Sequence, residues 1–198
     1  MGVMRAPISA CLIVKNEPLL EKCLLSIRDY VEEIVVIDTG STDGTQEVVR
    51  RFADKFELYT GCNNADGLIR SFSDARTKSF SLATKPWVLW IDGDDVVVGV
   101  ENLAALIDEA DKRRNGAPMA IMLPYEYSHD EIGNVTCYQF RERLVTPKES
   151  FKWSKPVHEV LIPFNSSPIQ DMNETIKIVH TRFKTGKPAE PFRNLRIL

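Results

Sequence analysis

The stretch Pro86–Val98, PWVLWIDGDDVVV, places the tightest limit on the fold: an apolar run without polar alternation stops abruptly on three carboxylates, Asp92, Asp94 and Asp95. A strand that is apolar on both faces must be covered on both faces, the condition of a central strand in a parallel sheet flanked by helices. The carboxyl edge of such a sheet is where open α/β proteins bind ligands. Hard divalent cations such as Mg²⁺ and Mn²⁺ favour carboxylate oxygens, so acids ending the strand read as a metal site. Asp-Gly is also a strong tight-turn signal, and on this stretch alone a solvated turn after a core strand competes on even terms.

The segments before it repeat the pattern. Ile8–Val14 (ISACLIV) is a second buried run, ending at Lys15-Asn16-Glu17-Pro18. Pro18 can open a helix at its first turn, and Leu20, Cys23, Leu24, Ile27 and Val31 follow at three- and four-residue steps. Glu33–Asp38 (EIVVID) predicts another strand ending in an acid, followed by the turn-rich Thr39–Thr45 and a helix carrying Val48, Val49 and Phe52. Phe56–Thr60 predicts a short third strand and GCNNADGL a loop. Phe72, Ala75, Ser79 and Ala83 then predict the buried face of a helix, with Asp74, Arg76 and Lys78 on its other faces. Strands alternating with helices through residue 92 imply right-handed crossovers and a mostly parallel sheet, so the fold class is α/β.

Past the acids, Leu103, Leu106, Ile107 and Ala110 mark one more helix, closed by Asn115-Gly116. From Met119 the pattern changes. AIMLPYEY and VTCYQFRERLV flank an Asp-Glu-Ile-Gly-Asn turn and predict a hairpin or mixed-sheet extension packed on the first half. Short strands are predicted at Val160–Pro163 and Ile176–Val179, and the tail FRNLRIL reads as a helix cut short, as in the N-terminal piece of a longer chain.

Composition excludes several classes. A length of 198 residues supports one main domain, and 43% hydrophobic with 27% charged residues is the balance of a folded protein. The net charge of −3 supplies no basic field for nucleic acid or anionic lipid. No segment reaches the ~18 apolar residues of a membrane span. Cys11, Cys23, Cys62 and Cys137 form no CxxC pair, which argues against zinc and a disulfide scaffold and favours a reducing, cytoplasmic compartment.

In an extended segment residues two apart point the same way, so Asp92 and Asp94 would share one side and Asp95 would face elsewhere. A divalent ion there neutralises a diphosphate, and a departing nucleoside diphosphate is the leaving group that most needs such help. Asp38 is placed to hydrogen-bond a base or ribose; a turn acid within Asp-Thr-Gly-Ser-Thr-Asp-Gly is an equally good reading.

Taken together, CLIVKNE (Cys11–Glu17), VVIDTGSTDGT (Val35–Thr45), FSDAR (Phe72–Arg76), VLWIDGDD (Val88–Asp95) and Val157-His158-Glu159 resemble the family 2 glycosyltransferases with the Rossmann-like GT-A fold. Each motif alone is weak or moderate, but five in order over about 160 residues are specific. The resemblance implies an inverting sugar transferase that uses a nucleotide-sugar donor, usually UDP-linked, with Mn²⁺ or Mg²⁺. It implies a nucleotide-sugar-binding half at 1–115 and an acceptor-binding, catalytic-base half at 116–198, with a glycan, a lipid-linked group or a protein as acceptor and further domains beyond the C-terminus. Carried over residue by residue, it puts Val14 and Glu17 at the nucleotide pocket and Asp38 on the uracil. Arg76 approaches the base or phosphate, Asp92 the ribose or the metal through water, and Asp94 is the main metal ligand with Asp95 in support. The family often carries an acid where this chain has Thr39.

Inversion by single displacement needs a carboxylate to take the acceptor's proton, and Glu159 is the candidate. Its neighbour His158 is a candidate to ligate the metal, orient Glu159 or touch the acceptor. His180 matches a position sometimes occupied by histidine in relatives, with a structural role the stronger reading. Arg141 and Arg143, two apart, are candidates to clamp phosphates; Lys184, Lys187 and Arg193 form a candidate closing loop hinged at Gly186. Trp87 and Trp90 read as core, whereas Trp153 reads as core or as an acceptor platform. Two other functions fit parts of the pattern. A non-catalytic sugar-nucleotide or glycan-binding module would keep the fold without turnover. A haloacid-dehalogenase-like phosphatase would use Asp38 as nucleophile, but Gly40 stands where its partner acid belongs.

Overall fold

The computed structural model describes residues 4–164 and 167–181; Lys184, Gly186, Lys187, Arg193 and the FRNLRIL tail lie outside them. Its elements in order are β1 (Ala6–Val14), α1 (Leu20–Ile27), β2 (Val31–Asp38), α2 (Thr45–Phe52), β3 (Lys55–Leu58), α3 (Phe72–Leu82), β4 (Trp87–Asp92), β5 (Asp95–Val98) and α4 (Leu103–Arg114). They continue with β6 (Met119–His129), β7 (Val135–Thr146), β8 (Phe151–Ser154), β9 (Val160–Pro163), β10 (Ile169–Met172) and β11 (Lys177–His180).

The apolar runs become neighbours. The main sheet has the order β3-β2-β1-β4-β7-β6-β11-β5, with β10 also on β6, and β8 and β9 form a separate hairpin. β3, β2, β1 and β4 run parallel, β7 joins β4 antiparallel, and β6 and β7 form the long hairpin that ties the second half of the chain into the same sheet. Helices cover both faces, as strands without polar alternation require. Along β4, Trp87, Leu89 and Ile91 enter the core beneath α1 and α4, while Val88 and Trp90 enter a second core with Phe80 and Ala83 of the α3 segment. In α1 the buried residues Leu20, Cys23, Leu24 and Ile27 form one stripe. Val31 does not extend that stripe. The helix ends at Ile27, Tyr30 turns back onto it, and Val31 begins β2 opposite Ala6.

Register decides where the acids go. On β1, Val14 lies opposite Asp38 of β2 and Ile13 opposite Asp92 of β4, so both acids reach the same sheet edge. Gly93 and Asp94 turn the chain there, and Asp95 begins β5. Turn and acidic cluster are thus one feature, since the turn is what brings the third acid back. β11 then pairs antiparallel with β5, His180 opposite Asp95. Gly99, after β5, makes this possible: its φ is +76°, and a Cβ there would come within 2.1 Å of the Thr175 carbonyl oxygen just before β11.

At the opposite end of the parallel strands, the buried Glu33 of β2 joins four segments. It accepts hydrogen bonds from Ser9 of β1, from the Thr84 amide and hydroxyl at 2.8 and 2.6 Å, and pairs with Lys55 of β3 at 2.9 Å. Burial alone would raise its pKa, but the Lys55, Ser9 and Thr84 bonds outweigh burial and hold it at about 2, below the ordinary 4.5.

A carboxylate whose pKa is depressed in the folded state stabilises above its unfolded value, and that stabilisation disappears as pH falls through the folded one. Glu33→Gln should therefore cost about 2–3 kcal/mol at neutral pH, and urea titrations should show the gap to the native protein closing between pH 4.5 and about 2. Gly99→Ala should lower stability by about 2 kcal/mol or more through forced positive φ and the clash with Thr175, measured as a drop in Tm.

Candidate active site

The site lies where β1, β2 and β4 end, completed by α3, β7, the segment before β9 and β11. Asp38 is fully buried; its Oδ1 accepts the amides of Gly40 at 2.7 Å and Ser41 at 2.6 Å, and its Oδ2 is buried without a partner among the described residues. An unpaired buried carboxylate oxygen is costly and calls for a donor. Beyond Gly40 opens a cavity of about 480 Å³, with Lys15, Asn16, Thr42, Asn63 and Asp66 among its walls. Lys15 bonds the Gly67 carbonyl across it, and Asn63 reaches the Thr39 carbonyl at 2.6 Å. Thr39 itself is buried and bonds the Val14 carbonyl, tying the ends of β1 and β2. Glu17 caps its own turn, accepting the Leu19 amide at 3.1 Å, and its amide bonds Thr45 at 2.9 Å. Glu17 and Val14 close directly over Gly93, where a Cβ would lie 2.9 Å from the Glu17 Cγ and 3.1 Å from Val14. A side chain at position 93 would force Glu17 or Val14 to shift.

The acids are interlocked with two arginines. Arg76, 4% exposed, lies on the buried face of α3 rather than the outer face that its charge predicts. Its Nη2 donates to Asp92 Oδ1 at 2.6 Å and its Nε to Glu159 Oε1 at 2.8 Å, while the guanidinium packs over Trp90 and Trp153. Burial and compensation explain each other: a guanidinium is tolerated there because two carboxylates and two ring faces receive it. Its pKa moves up, since Asp92 and Glu159 outweigh the effect of burial. Burial likewise opposes ionisation of Asp92, but the Arg76 and Arg143 guanidiniums hold its carboxyl well below the usual carboxylate range. Asp95, fully buried, accepts the Asp92 amide at 3.0 Å and the Tyr125 hydroxyl at 3.2 Å.

His180 completes the cluster. Its Nδ1 lies 3.5 Å from Asp94, 3.3 Å from Asp95 and 3.2 Å from the Tyr125 hydroxyl, and its ring stacks on Tyr127. Thr181 fixes the turn from the other side, its amide and hydroxyl both bonding the Asp94 carbonyl. Burial works against protonation of His180, but the Asp95 hydrogen bond and the charge of Asp94 raise its pKa above the ordinary value. Among the described residues, Asp94, Asp95 and His180 are the group able to hold a metal ion, each offering one ligand atom within 4.8 Å of the others. Asp92 and His158 are not in that group: Asp92 is committed to Arg76, and His158 is exposed with φ +52°. The structure thus joins Asp92, Asp94, Asp95, Arg76 and Glu159, and places Asp38, Val14 and Glu17 along the same edge. Trp87 and Trp90 are core, and Trp153 packs edge-on against Phe80 and Trp90. Arg141 and Arg143 differ, the first partly exposed and the second buried. Tyr125 and Tyr127 carry no mark in the sequence beyond strand alternation. The signal for His180 is its place at the end of a predicted strand.

All four cysteines are free, and no helix among the described residues is long and apolar enough to cross a membrane. The chain is 31% identical over 162 residues to a TPR repeat-containing protein of Synechococcus elongatus, covering 81% of this chain and 37% of that one. It is 28% identical to the SPbeta prophage-derived glycosyltransferase SunS of Bacillus subtilis, covering 91% of this chain and 40% of SunS. The chain therefore spans about two fifths of the length of these relatives. Among solved structures, S. aureus TarS 1-349 in complex with UDP-GlcNAc superposes with a TM-score of 0.45 and 20% identity, over 62% of this chain and 35% of that one. The family model for glycosyl transferase family 2 matches residues 9–183, a span that contains every residue of the site, and the chain belongs to that family.

Proposed function

We propose that the chain is the donor-binding and catalytic part of a glycosyltransferase that moves a sugar from a nucleoside-diphosphate donor, UDP-linked, to an acceptor hydroxyl with inversion, with the help of Mn²⁺ or Mg²⁺. The observation that carries this reading is the double engagement of Arg76, which sets Glu159 one guanidinium away from Asp92 and so brings a carboxylate base to the acidic edge of the sheet. Family membership supports the reaction class. The four free cysteines support a cytoplasmic location.

The donor set Asp94, Asp95 and His180 fits a divalent cation. Two carboxylates with an imidazole suit Mn²⁺ better than Mg²⁺, which prefers oxygen alone. When bound, the ion supplies the positive charge that neutralises the diphosphate as it leaves. The chain's own residues do the rest. Asp38 offers its unpaired Oδ2 to a base N–H, beside a polar cavity of about 480 Å³ large enough for part of a nucleotide. Val14 and Glu17 wall the nucleotide side, and Asp92 is assigned to the ribose or, through water, to the cation. Arg76 takes up Oε1 of Glu159 and thereby orients the carboxylate. Oε2 is assigned the proton of the acceptor hydroxyl as that oxygen attacks the anomeric carbon. His158, exposed beside Glu159, is assigned to the acceptor side.

In a thermal-shift titration, UDP should raise Tm in the presence of Mn²⁺ and much less without it, since a ligand at 100 times its Kd stabilises by about 2.7 kcal/mol. Asp94→Ala should lose the Mn²⁺-dependent part, and a full shift in that variant overturns the cation assignment. Glu159→Gln should keep the UDP shift and lower transfer to glycan, lipid-linked or protein acceptors by about 10²–10⁴-fold, followed as UDP release. Metal-dependent UDP binding without turnover on any donor would mark a binding module instead, and phosphate release from simple phosphomonoesters a phosphatase.

A further inference from the structure

β7 reaches the acidic cluster with one residue too many. Ile121 of β6 lies opposite Leu144 and the next residue, Met122, opposite Glu142, so Arg143 has no partner on β6 and forms a β-bulge. Bulges re-aim side chains, and this one turns a guanidinium inward. The Arg143 side chain is 1% exposed. Its guanidinium carbon lies 3.9 Å from the centre of the Trp90 ring and 4.4 Å from that of Tyr125, and Nη1 donates to the Trp90 carbonyl at 3.2 Å. The nearest carboxylate oxygens are Asp92 Oδ2 at 3.8 Å and Asp95 Oδ2 at 3.6 Å, and Nε is buried without a partner among the described residues. Two rings and a carbonyl therefore hold the group just short of hydrogen-bonding either acid. A buried cation so placed acts on the acids through its field without itself occupying their lone pairs.

We propose that Arg143 is a positioning residue of the cation site, a resident counter-charge that lets Asp92, Asp94 and Asp95 fold together before any divalent ion binds and that weakens the hold of the site on a bare ion. This inference rests on the cation assignment to Asp94, Asp95 and His180 given above. A strand that merely needed filling would take an apolar residue at this depth; the bulge, the ring sandwich and the two carboxylates within 3.8 Å are what a fixed charge needs. Asp94 faces the same field at longer range, so the ion is held firmly only when further negative charge, that of a diphosphate, joins it.

The test is Mn²⁺ binding to the whole chain without nucleotide, read by the electron paramagnetic resonance of free Mn²⁺, together with Tm with and without saturating Mn²⁺. Arg143→Gln should bind Mn²⁺ about tenfold more tightly than the native chain, with a lower Tm in the absence of metal and a smaller deficit in its presence. Arg143→Lys, which keeps the charge but not the planar stack, should bind Mn²⁺ close to natively while also melting lower. Equal or weaker Mn²⁺ binding by Arg143→Gln, or a Tm deficit that Mn²⁺ does not reduce, overturns the proposal and leaves Arg143 a packing residue. If Arg143→Gln does not fold, tight Mn²⁺ binding by Arg143→Lys overturns it as well. Should the native chain and Asp94→Ala bind Mn²⁺ alike, it is the cation assignment that fails.

Discussion

Charge compensation at the carboxyl edge of the sheet is the constraint on which the rest depends. Asp92 and Glu159 share Arg76, Asp92 and Asp95 lie beside Arg143, and Asp94 and Asp95 share His180, so two buried arginines compensate the gathered acids. Removing water from the buried Asp94 and Asp95 without partners would cost several kcal/mol for each. The arginines arrive from different directions, one on a helix above the sheet and one from a bulged strand, with Trp90 packed against both. Trp90 is thus more than core filling. Its ring faces take guanidiniums, and its indole N–H bonds the Glu142 carbonyl at 2.5 Å, locking the bulged strand beside β4.

The two arginines engage their acids differently. Arg76 makes short hydrogen bonds and fixes directions, whereas Arg143 stands off and sets only a potential. Orientation and electrostatics in this site are therefore carried by separate side chains. Glu33 is a contrast at the far end of the same strands: one acid receives all its compensation from hydroxyls, an amide and a lysine, and serves only to join segments.

Much of this architecture is legible in the sequence for a simple reason. Strands apolar on both faces have few alternatives, and an acid that ends such a strand can only emerge at the sheet edge, which locates Asp38 and Asp92. The resemblance in ordered motifs then supplies the family. Other features leave no local trace. A charge on a helix is normally solvated, which predicts an outer face for Arg76; its partners are Asp92 and, 83 residues away, Glu159. An extended strand makes Asp94 and Asp95 diverge, but a turn at Gly93 returns both to His180. The bulge at Arg143 depends on register with β6, which composition cannot encode, and the spacing that suggests a shared role with Arg141 fails at that extra residue. The short strands β8 and β10, four residues each, are set by tertiary pairing rather than by a strong local pattern.

The bonds that close the site join residues 83, 85 and 87 apart in sequence: Arg76 to Glu159, Asp95 to His180, and Asp94 to Thr181. Closing loops of that length costs conformational entropy that no single contact repays. A partly folded chain, with its β6–β7 hairpin or its parallel strands formed separately, has the acids but not their partners. The assembled cluster is consequently a property of the completely folded chain, and a fluctuation that detaches β11 or the Glu159 segment erases it while leaving the central strands intact. Proteolysis or hydrogen exchange at the edge would register such openings long before the core reports any unfolding.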